Sequence, residues 1–239
     1  MDLSRKSALV VGAGGLGGPA LLVLAGAGVG RLVVVECDAV ETSNLNRQPL
    51  YGEADIGARK AGAAAARLRA LFPAISVEAH DGRFDPSNAA ALVAASDVVV
   101  DASDNFETKV LANDAAVRAG RPLVHGGVLR TTAQVMTVAP LGTGGCLRCL
   151  FEGPPPAGSV PSCAEAGILG PVAGFAGALM GAEAVRLLSG ERGAYEGRLY
   201  AFEVRSARSR LVHVQKRPGC LACSPQVPPE KGAPDGATG

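Results

Sequence analysis

The chain has 239 residues, 48% of them apolar, and it carries 23 Lys plus Arg against 22 Asp plus Glu. This size can bury a substantial core, as one large domain or as one domain with a small appendage. Because the charges nearly cancel, no summed field favours nucleic acid or an anionic membrane surface, and we expect neither as a partner. Met1 to Ser7 is charged and leads straight into a strand pattern, unlike a signal or transit peptide, so we expect a cytoplasmic protein.

The first 140 residues alternate between short β-branched runs and amphipathic segments of helical length, which is typical of a parallel sheet with helices on both faces. Predicted strands are Ala8–Gly12, Arg31–Glu36, Ser76–His80, Asp97–Asp101 and Pro122–Gly127. Predicted helices are Leu16–Ala27, Arg59–Phe72, Ser87–Ala95 and Phe106–Ala119. The predicted fold is α/β, a Rossmann-like, doubly wound and mainly parallel sheet, with residues 1–140 as its nucleotide-binding region.

Residues 141–223 are predicted to continue the same domain as a C-terminal antiparallel extension. A strand, Ala133–Ala139, leads into it, followed by a Pro-rich loop from Gly153 to Ser162, a long helix at Ile168–Ser189 and a hairpin of Arg198–Val204 with Leu211–Gln215. The apolar stretch Ala166–Ala182 contains a proline and five glycines and is shorter than the roughly 20 residues that a bilayer requires, so we expect a buried helix. The Pro- and Gly-rich tail, 224–239, is predicted to be disordered.

Four of the six cysteines form two Cys-x-x-Cys pairs, Cys146/Cys149 and Cys220/Cys223. Two such pairs can supply four thiolates to a closed tetrahedral zinc site, in which the metal stabilises the fold and has no open position for catalysis. The alternatives are four unrelated reduced thiols or redox motifs. We expect zinc, and therefore expect the chain to fold back so that Cys220 lies beside Cys146.

The first predicted strand ends in Gly12-Ala13-Gly14-Gly15-Leu16-Gly17, directly before a predicted helix. Glycines with this spacing permit a tight turn and close approach of the backbone to phosphate oxygens, while the helix N-terminus offers free N–H groups to an anion. Glu36 ends the second strand, where a Rossmann unit places the acidic residue that binds ribose hydroxyls. These features predict a nucleotide site and leave NAD and ATP equally open.

Two cations and a carboxylate favour a triphosphate. Arg47 and Lys60 follow Glu36 at positions where a dinucleotide dehydrogenase has ordinary helix and strand, and the segment Asp101–Asn105 follows the fourth strand. Open α/β sheets bind ligands at the carboxyl ends of their strands, and Asp104 is placed there to hold Mg²⁺ against phosphates.

With these motifs the chain resembles the MoeB/ThiF/HesA family, the bacterial relatives of ubiquitin-activating enzymes. The resemblance covers residues 7–224. It rests on the glycine loop, Ser43-Asn44-Leu45-Asn46-Arg47-Gln48, Asp55-Ile56-Gly57 with Lys60, Asp101 to Asn105, both cysteine pairs and Cys163-Ala164-Glu165-Ala166-Gly167. It implies ATP- and Mg²⁺-dependent adenylation of the C-terminal glycine of a ubiquitin-like sulfur carrier of the MoaD or ThiS type, with release of pyrophosphate.

The resemblance also implies roles for single residues. Those expected to bind the nucleotide are Gly12, Gly14, Gly15, Glu36, Asn44, Arg47, Lys60, Asp104 and Asn105, with Glu36 on the ribose and Asp104 on Mg²⁺. Since a carboxylate is already ionised at neutral pH, the reaction needs no general base; Arg47, Lys60 and Mg²⁺ are expected to offset the repulsion between two anions. Cys163 is a candidate for a covalent link to the carrier during sulfur transfer.

Relatives commonly start with a helical segment whose arginine reaches across a homodimer, and no matching string precedes the first strand here. An upstream start, another subunit or reduced catalysis would each account for that difference. We expect a homodimer with a separate sulfur donor and a carrier ending in Gly-Gly. Two alternatives stay open: a non-catalytic scaffold that binds the carrier, and an NAD-dependent oxidoreductase. The sequence leaves the carrier and its pathway undetermined.

Overall fold

The computed structural model describes residues 2–139, 142, 144–151, 153 and 167–224. They contain one eight-stranded sheet in the order β3-β2-β1-β4-β5-β6-β7-β8. The strands are β1 Ser7–Val11, β2 Arg31–Glu36, β3 Ser76–Asp81, β4 Val98–Asp101, β5 Leu123–Leu129, β6 Thr132–Val138, β7 Arg198–Glu203 and β8 Arg208–His213. The pairs among β1 to β5 are parallel, and the pairs β5–β6, β6–β7 and β7–β8 are antiparallel, which confirms the predicted fold class.

The helices are α1 Gly17–Gly26, α2 Lys60–Leu71, α3 Ala89–Ala94, α4 Phe106–Arg118, α5 Leu147–Leu150 and α6 Gly170–Leu188, with short 3-10 helices at Thr42–Asn44 and Glu53–Asp55. Elements up to β7 agree with the sequence prediction to within about two residues at most ends. The last strand does not: it was predicted at Leu211–Gln215 and begins at Arg208. Ala207 adopts a left-handed backbone with φ of 52°, so the hairpin turn is tighter than the sequence indicated.

Both faces of the parallel strands are covered, so consecutive residues are buried on opposite sides. Val10, Val34 and Val100 belong to the core under α1, α2 and α6. Leu9, Val33 and Val99 belong to the core under α3 and α4. The β-branched runs therefore form strands that are buried on both sides, as parallel sheets require.

Helix α6 packs on α1 through small residues. A Cβ on Gly177 would lie 2.2 Å from the Leu16 carbonyl oxygen, and one on Gly181 would lie 2.8 Å from Cβ of Val23. By length and composition α6 is apolar enough to cross a membrane, but half of the window that passes this test is buried inside the protein. The helix thus fills the predicted role of a buried helix with a small-residue face.

In the sheet β1 lies next to β4. From β1 the chain adds strands outwards in one direction, to β2 and β3, and from β4 it adds them in the other direction, to β5. In such sheets the crevice outside the carboxyl ends of these two strands is the ligand site. The glycine loop follows β1 and the Asp101–Asn105 segment follows β4, so both predicted motifs lie at this crevice.

Candidate nucleotide site and cysteine cluster

The glycine loop is shaped by contacts that only glycine allows. Gly12 has φ of +94°, and a Cβ there would lie 2.7 Å from the Ala102 carbonyl oxygen. At Gly17 a Cβ would lie 1.8 Å from the Gly12 carbonyl oxygen. These two positions lock the turn between β1 and α1 against the segment that follows β4, because no L side chain fits either of them.

Glu36 ties the end of β2 to this loop. One oxygen of its carboxylate accepts a hydrogen bond from the Ala13 N–H at 3.0 Å, and the other accepts from the N–H groups of Cys37 at 2.7 Å and Asp38 at 3.0 Å. A carboxylate has about four acceptor positions, so these three bonds leave room for one hydroxyl donor. Glu36 therefore shapes the loop and remains suited to a ribose hydroxyl.

Lys60 is a buried cation at the first position of α2. Its side chain is 6% exposed, and Nζ lies 3.2 Å from Oδ2 of Asp38, whose side chain is 63% exposed. Tyr51, which sequence reasoning missed, connects this lysine to the glycine loop: its hydroxyl donates to the Ala13 carbonyl oxygen at 2.8 Å and lies 3.3 Å from the Lys60 carbonyl oxygen. Burial raises the pKa of the Tyr51 phenol, so the group stays a neutral donor.

Arg47 lies against Gly15 of the glycine loop. A Cβ built on Gly15 would be 3.6 Å from Cγ of Arg47, so the stem of the arginine runs past the second glycine. Its guanidinium donates to the Ser43 carbonyl oxygen at 2.8 Å and to Oδ1 of Asn46 at 3.1 Å. Within the described part of the chain no carboxylate neutralises Arg47, which leaves its charge available to an anion. Arg47 and Lys60 thus both lie beside the glycine turn.

Two buried amide oxygens in the same region have no protein partner in the described residues: Oδ1 of Asn44 and Oε1 of Gln48. The two residues are 7% and 5% exposed, and Nε2 of Gln48 would be 3.4 Å from a Cβ on Gly14. An unsatisfied buried polar atom costs about 1–3 kcal/mol, so its persistence indicates a ligand or hydrating water. Gln48 was missed as a site residue although it belongs to the same six-residue string as Asn44 and Arg47.

The segment after β4 presents one exposed carboxylate, that of Asp104, at the crevice. An exposed oxygen ligand beside a phosphate site suits Mg²⁺, which binds through one or two carboxylates together with substrate phosphates. Asn105, also predicted to bind the nucleotide, caps α4: its side chain accepts a hydrogen bond from the Thr108 N–H at 2.8 Å. The amide group of Asn105 remains available beside this cap.

Below Asp104 lies a buried polar network that sequence reasoning missed in part. Asp101 is fully buried; its carboxylate accepts a hydrogen bond from Nδ1 of His125 at 2.6 Å and lies 3.6 Å from Nζ of Lys109. Burial alone would raise the pKa of Asp101, but the Lys109 ammonium and the His125 hydrogen bond hold this pKa well below its usual range. Burial and the Lys109 charge lower the pKa of His125, so the imidazole is neutral and donates from Nδ1.

The four paired cysteines converge as predicted. Their Sγ atoms all lie within 4.8 Å of one another, with Cys146–Cys220 at 3.7 Å, Cys149–Cys223 at 3.4 Å and Cys146–Cys149 at 4.0 Å. Four sulfurs at about 2.3 Å from a tetrahedral zinc ion are ~3.8 Å apart, so the cluster fits zinc. Although burial raises it, hydrogen bonds from the Cys223 and Ala222 backbone lower the pKa of Cys220 to about 7. The Cys220 thiol is therefore partly ionised near neutral pH, whereas burial raises the pKa of Cys146 and of Cys223.

Two cysteines and two histidines remain to be placed. Cys163 lies outside the described residues. Burial and the neighbouring Asp38 and Glu36 raise the pKa of Cys37, which keeps its thiol protonated. His80 and His213 are exposed.

The fold and the site define an α/β protein with a glycine-rich loop at the switch point of its sheet and four cysteines that could hold a metal ion. The sequence model described as "ThiF family" matches residues 1–222, and the chain belongs to that family. It is 47% identical over 225 residues to the sulfur carrier protein adenylyltransferase of Thermus thermophilus, covering 92% of this chain and 83% of that protein. It is 46% identical over 221 residues to the SAMP-activating enzyme E1 of Haloferax volcanii, covering 92% and 81%.

A solved structure extends the likeness to the fold. E. coli MccB in complex with MccA-N7isoASN superposes with a TM-score of 0.82 at 22% identity, covering 93% of this chain and 68% of that one. At this identity the match concerns the fold alone. It confirms the arrangement of sheet and helices.

Proposed function

We propose that the protein is an adenylyltransferase that activates a ubiquitin-like sulfur carrier, using ATP and Mg²⁺ and releasing pyrophosphate. The observation that carries the proposal is that two cations adjoin the glycine turn: the stem of Arg47 runs past Gly15, and Lys60 is linked to Ala13 through Tyr51. Among the described residues, the carboxylate partner of Lys60 is the exposed Asp38, and Arg47 has no carboxylate partner. The relatives named above include an adenylyltransferase of a sulfur carrier and an E1-type activating enzyme, which supports the same reaction.

The chemistry follows from these charges. The carrier's terminal carboxylate attacks the α-phosphorus of ATP, forming the acyl-adenylate bond while the bond to pyrophosphate breaks; no proton needs to be removed. The obstacle is repulsion between two anions and the charge that moves onto the leaving group. Lys60 and Arg47 bind and neutralise the triphosphate, the N–H groups at the start of α1 orient it, and Glu36 accepts from the ribose. Asp104 would hold Mg²⁺, which supplies additional positive charge to the phosphates when bound.

The cysteine cluster serves the fold in this proposal. A zinc ion held by Cys146, Cys149, Cys220 and Cys223 has no open position for substrate. Such an ion would join α5 to the segment that follows β8. The hydroxyl of Ser224 accepts a hydrogen bond from the Cys220 N–H at 3.1 Å and so stabilises the turn that holds Cys220 and Cys223.

The partners proposed are a carrier ending in Gly-Gly, a separate sulfur donor and a second copy of the chain in a homodimer in the cytoplasm. Cys163 is proposed to attack the carrier's acyl-adenylate as a thiolate, so that a thioester bond to the carrier forms as the bond to AMP breaks. Cys163→Ser should then retain ATP–pyrophosphate exchange and lose a thiol-labile adduct with the carrier. An adduct that still forms in this variant refutes the role.

The direct test is to incubate the protein with carriers of the MoaD and ThiS types, ATP and Mg²⁺, and to weigh the carrier for added AMP. A carrier lacking its terminal glycine is the matched control, because it keeps the folded carrier and removes the reacting carboxylate from its position. Exchange of label from pyrophosphate into ATP should accompany the adduct. If every carrier stays unmodified and no exchange occurs, the protein is a scaffold and the proposal is wrong.

A further inference from the structure

The most completely bonded polar group near the crevice is one that makes no contact with the nucleotide in the proposed function. Asp101, the last residue of β4, is 0% exposed, and its Oδ1 accepts from both the N–H and the hydroxyl of Ser103, at 3.1 and 2.5 Å. Its Oδ2 accepts from Nδ1 of His125 at 2.6 Å. A carboxylate buried this deeply is retained only where donors and an opposite charge satisfy it.

The opposite charge comes from the first turns of α4. Nζ of Lys109 lies 3.6 Å from Oδ2 of Asp101 and donates to the Gly126 carbonyl oxygen at 2.8 Å. The lysine side chain is 15% exposed. One ammonium therefore joins three elements, the end of β4, the start of α4 and the middle of β5.

These bonds fix the five-residue segment that carries Asp104. Ser103 is held from one side by Asp101, and Asn105 caps α4 from the other by accepting from the Thr108 N–H. The carbonyl oxygen of Ala102 fits against Gly12, where a Cβ would lie 2.7 Å away. Asp104 lies between these fixed points, is exposed, and has no hydrogen-bond or ion-pair partner among residues that the structure describes.

We propose that Asp101 and Lys109 are positioning residues for Asp104, which they hold at the distance from the glycine loop that metal-bound triphosphate needs. This inference rests on the proposed function in so far as Asp104 is taken as the Mg²⁺ ligand. It states that the buried pair, Asp101 and Lys109, increases the factor by which Mg²⁺ strengthens ATP binding. A pair that merely stabilised the fold would leave that coupling unchanged.

The measurable quantity is the ratio of the ATP dissociation constant without added Mg²⁺ to that with Mg²⁺, obtained by calorimetry on the whole, zinc-loaded chain without chelator or carrier. Asp101→Asn combined with Lys109→Met removes both buried charges together and so avoids leaving one of them unpaired. Lys109→Arg keeps the charge. Lys216→Met, at an exposed position outside the network, is the control for loss of a lysine.

We expect the double variant to reduce the Mg²⁺ coupling by about tenfold while ATP binding without Mg²⁺ changes by less than about threefold, because misplacing one ligand by roughly 1 Å is costly at a preorganised site. Lys109→Arg should retain most of the coupling and Lys216→Met all of it. The single variant Asp101→Asn, which keeps Oδ1 as an acceptor for Ser103, should show an intermediate loss.

The proposal is overturned if the double variant melts at a lower temperature but keeps the parent's coupling, or if the parent itself binds ATP equally with and without Mg²⁺. Absence of carrier adenylation in a parent protein that does show the coupling would reject the proposed function alone. The two failures are therefore distinguishable in one set of proteins.

Discussion

Replacing Lys60 by Met should stabilise the protein without nucleotide and impair its activity. The ammonium is 6% exposed, and its one carboxylate partner, Asp38, lies 3.2 Å away with a side chain that is 63% exposed. At this distance the attraction is about 5 kcal/mol at an effective dielectric of about 20, and less where water screens the exposed Asp38. Burying an ammonium also costs several kcal/mol, so the pair at best offsets what the lysine loses in solvation, and Asp38 stays hydrated when the lysine is replaced.

Met is close to Lys in length and is apolar, so it fills the same space without that cost. We expect a gain in unfolding free energy of about 1–2 kcal/mol, which corresponds to a rise in melting temperature of roughly 2–8 °C for a domain of this size. Adenylation should slow by about 100-fold or more, because a charge-stabilising donor has been removed from the phosphates. Stability gained together with activity lost is the expected sign of a residue kept for function.

The assay pairs thermal unfolding of the nucleotide-free protein with ATP–pyrophosphate exchange in the presence of the carrier. Lys216→Met, an exposed lysine far along the chain in the segment after β8, is the matched control and should change neither quantity. A Lys60→Met protein that melts lower than its parent and still exchanges pyrophosphate at the parental rate would refute the reasoning on both counts.

Two further predictions concern the metal and the buried histidine. A strong chelator should release zinc and lower the melting temperature. Well below the new melting point, the rate of ATP–pyrophosphate exchange should decrease only in proportion to the fraction of protein that has unfolded. A loss of exchange in fully folded, zinc-free protein would contradict a purely structural metal. The free energy of unfolding should fall as pH drops below about 6.5, because the lowered pKa of His125 means that the unfolded chain binds its proton first. Urea unfolding at pH 7 and pH 5.5 tests this, and His125→Asn, which keeps a donor, should flatten the dependence; an equal slope in both proteins would assign it to other groups.

The parts of the site that could be predicted are those coded by local spacing. The glycine loop, Glu36 at the end of β2 and the paired cysteines each follow from a few consecutive residues in a recognisable strand or turn. Lys109 could not be found in this way, because a lysine in the first turns of an amphipathic helix usually faces solvent. His125 had no signal beyond its place in the predicted strand Pro122–Gly127. Gln48 and Tyr51 lacked any signal beyond their neighbourhood.

The amino-acid sequence alone determined the order of strands and helices, the turn at the first glycines and the two cysteine knuckles, because each depends on interactions within a few residues. The same spacing predicted that Cys220 meets Cys146 across 74 positions, which the structure confirms. Only the tertiary structure decided that Lys109 reaches under β4 to a carboxylate no solvent touches. Such a contact depends on how the sheet is wound and which faces are covered, and a buried carboxylate needs donors and an opposite charge that the local sequence does not reveal.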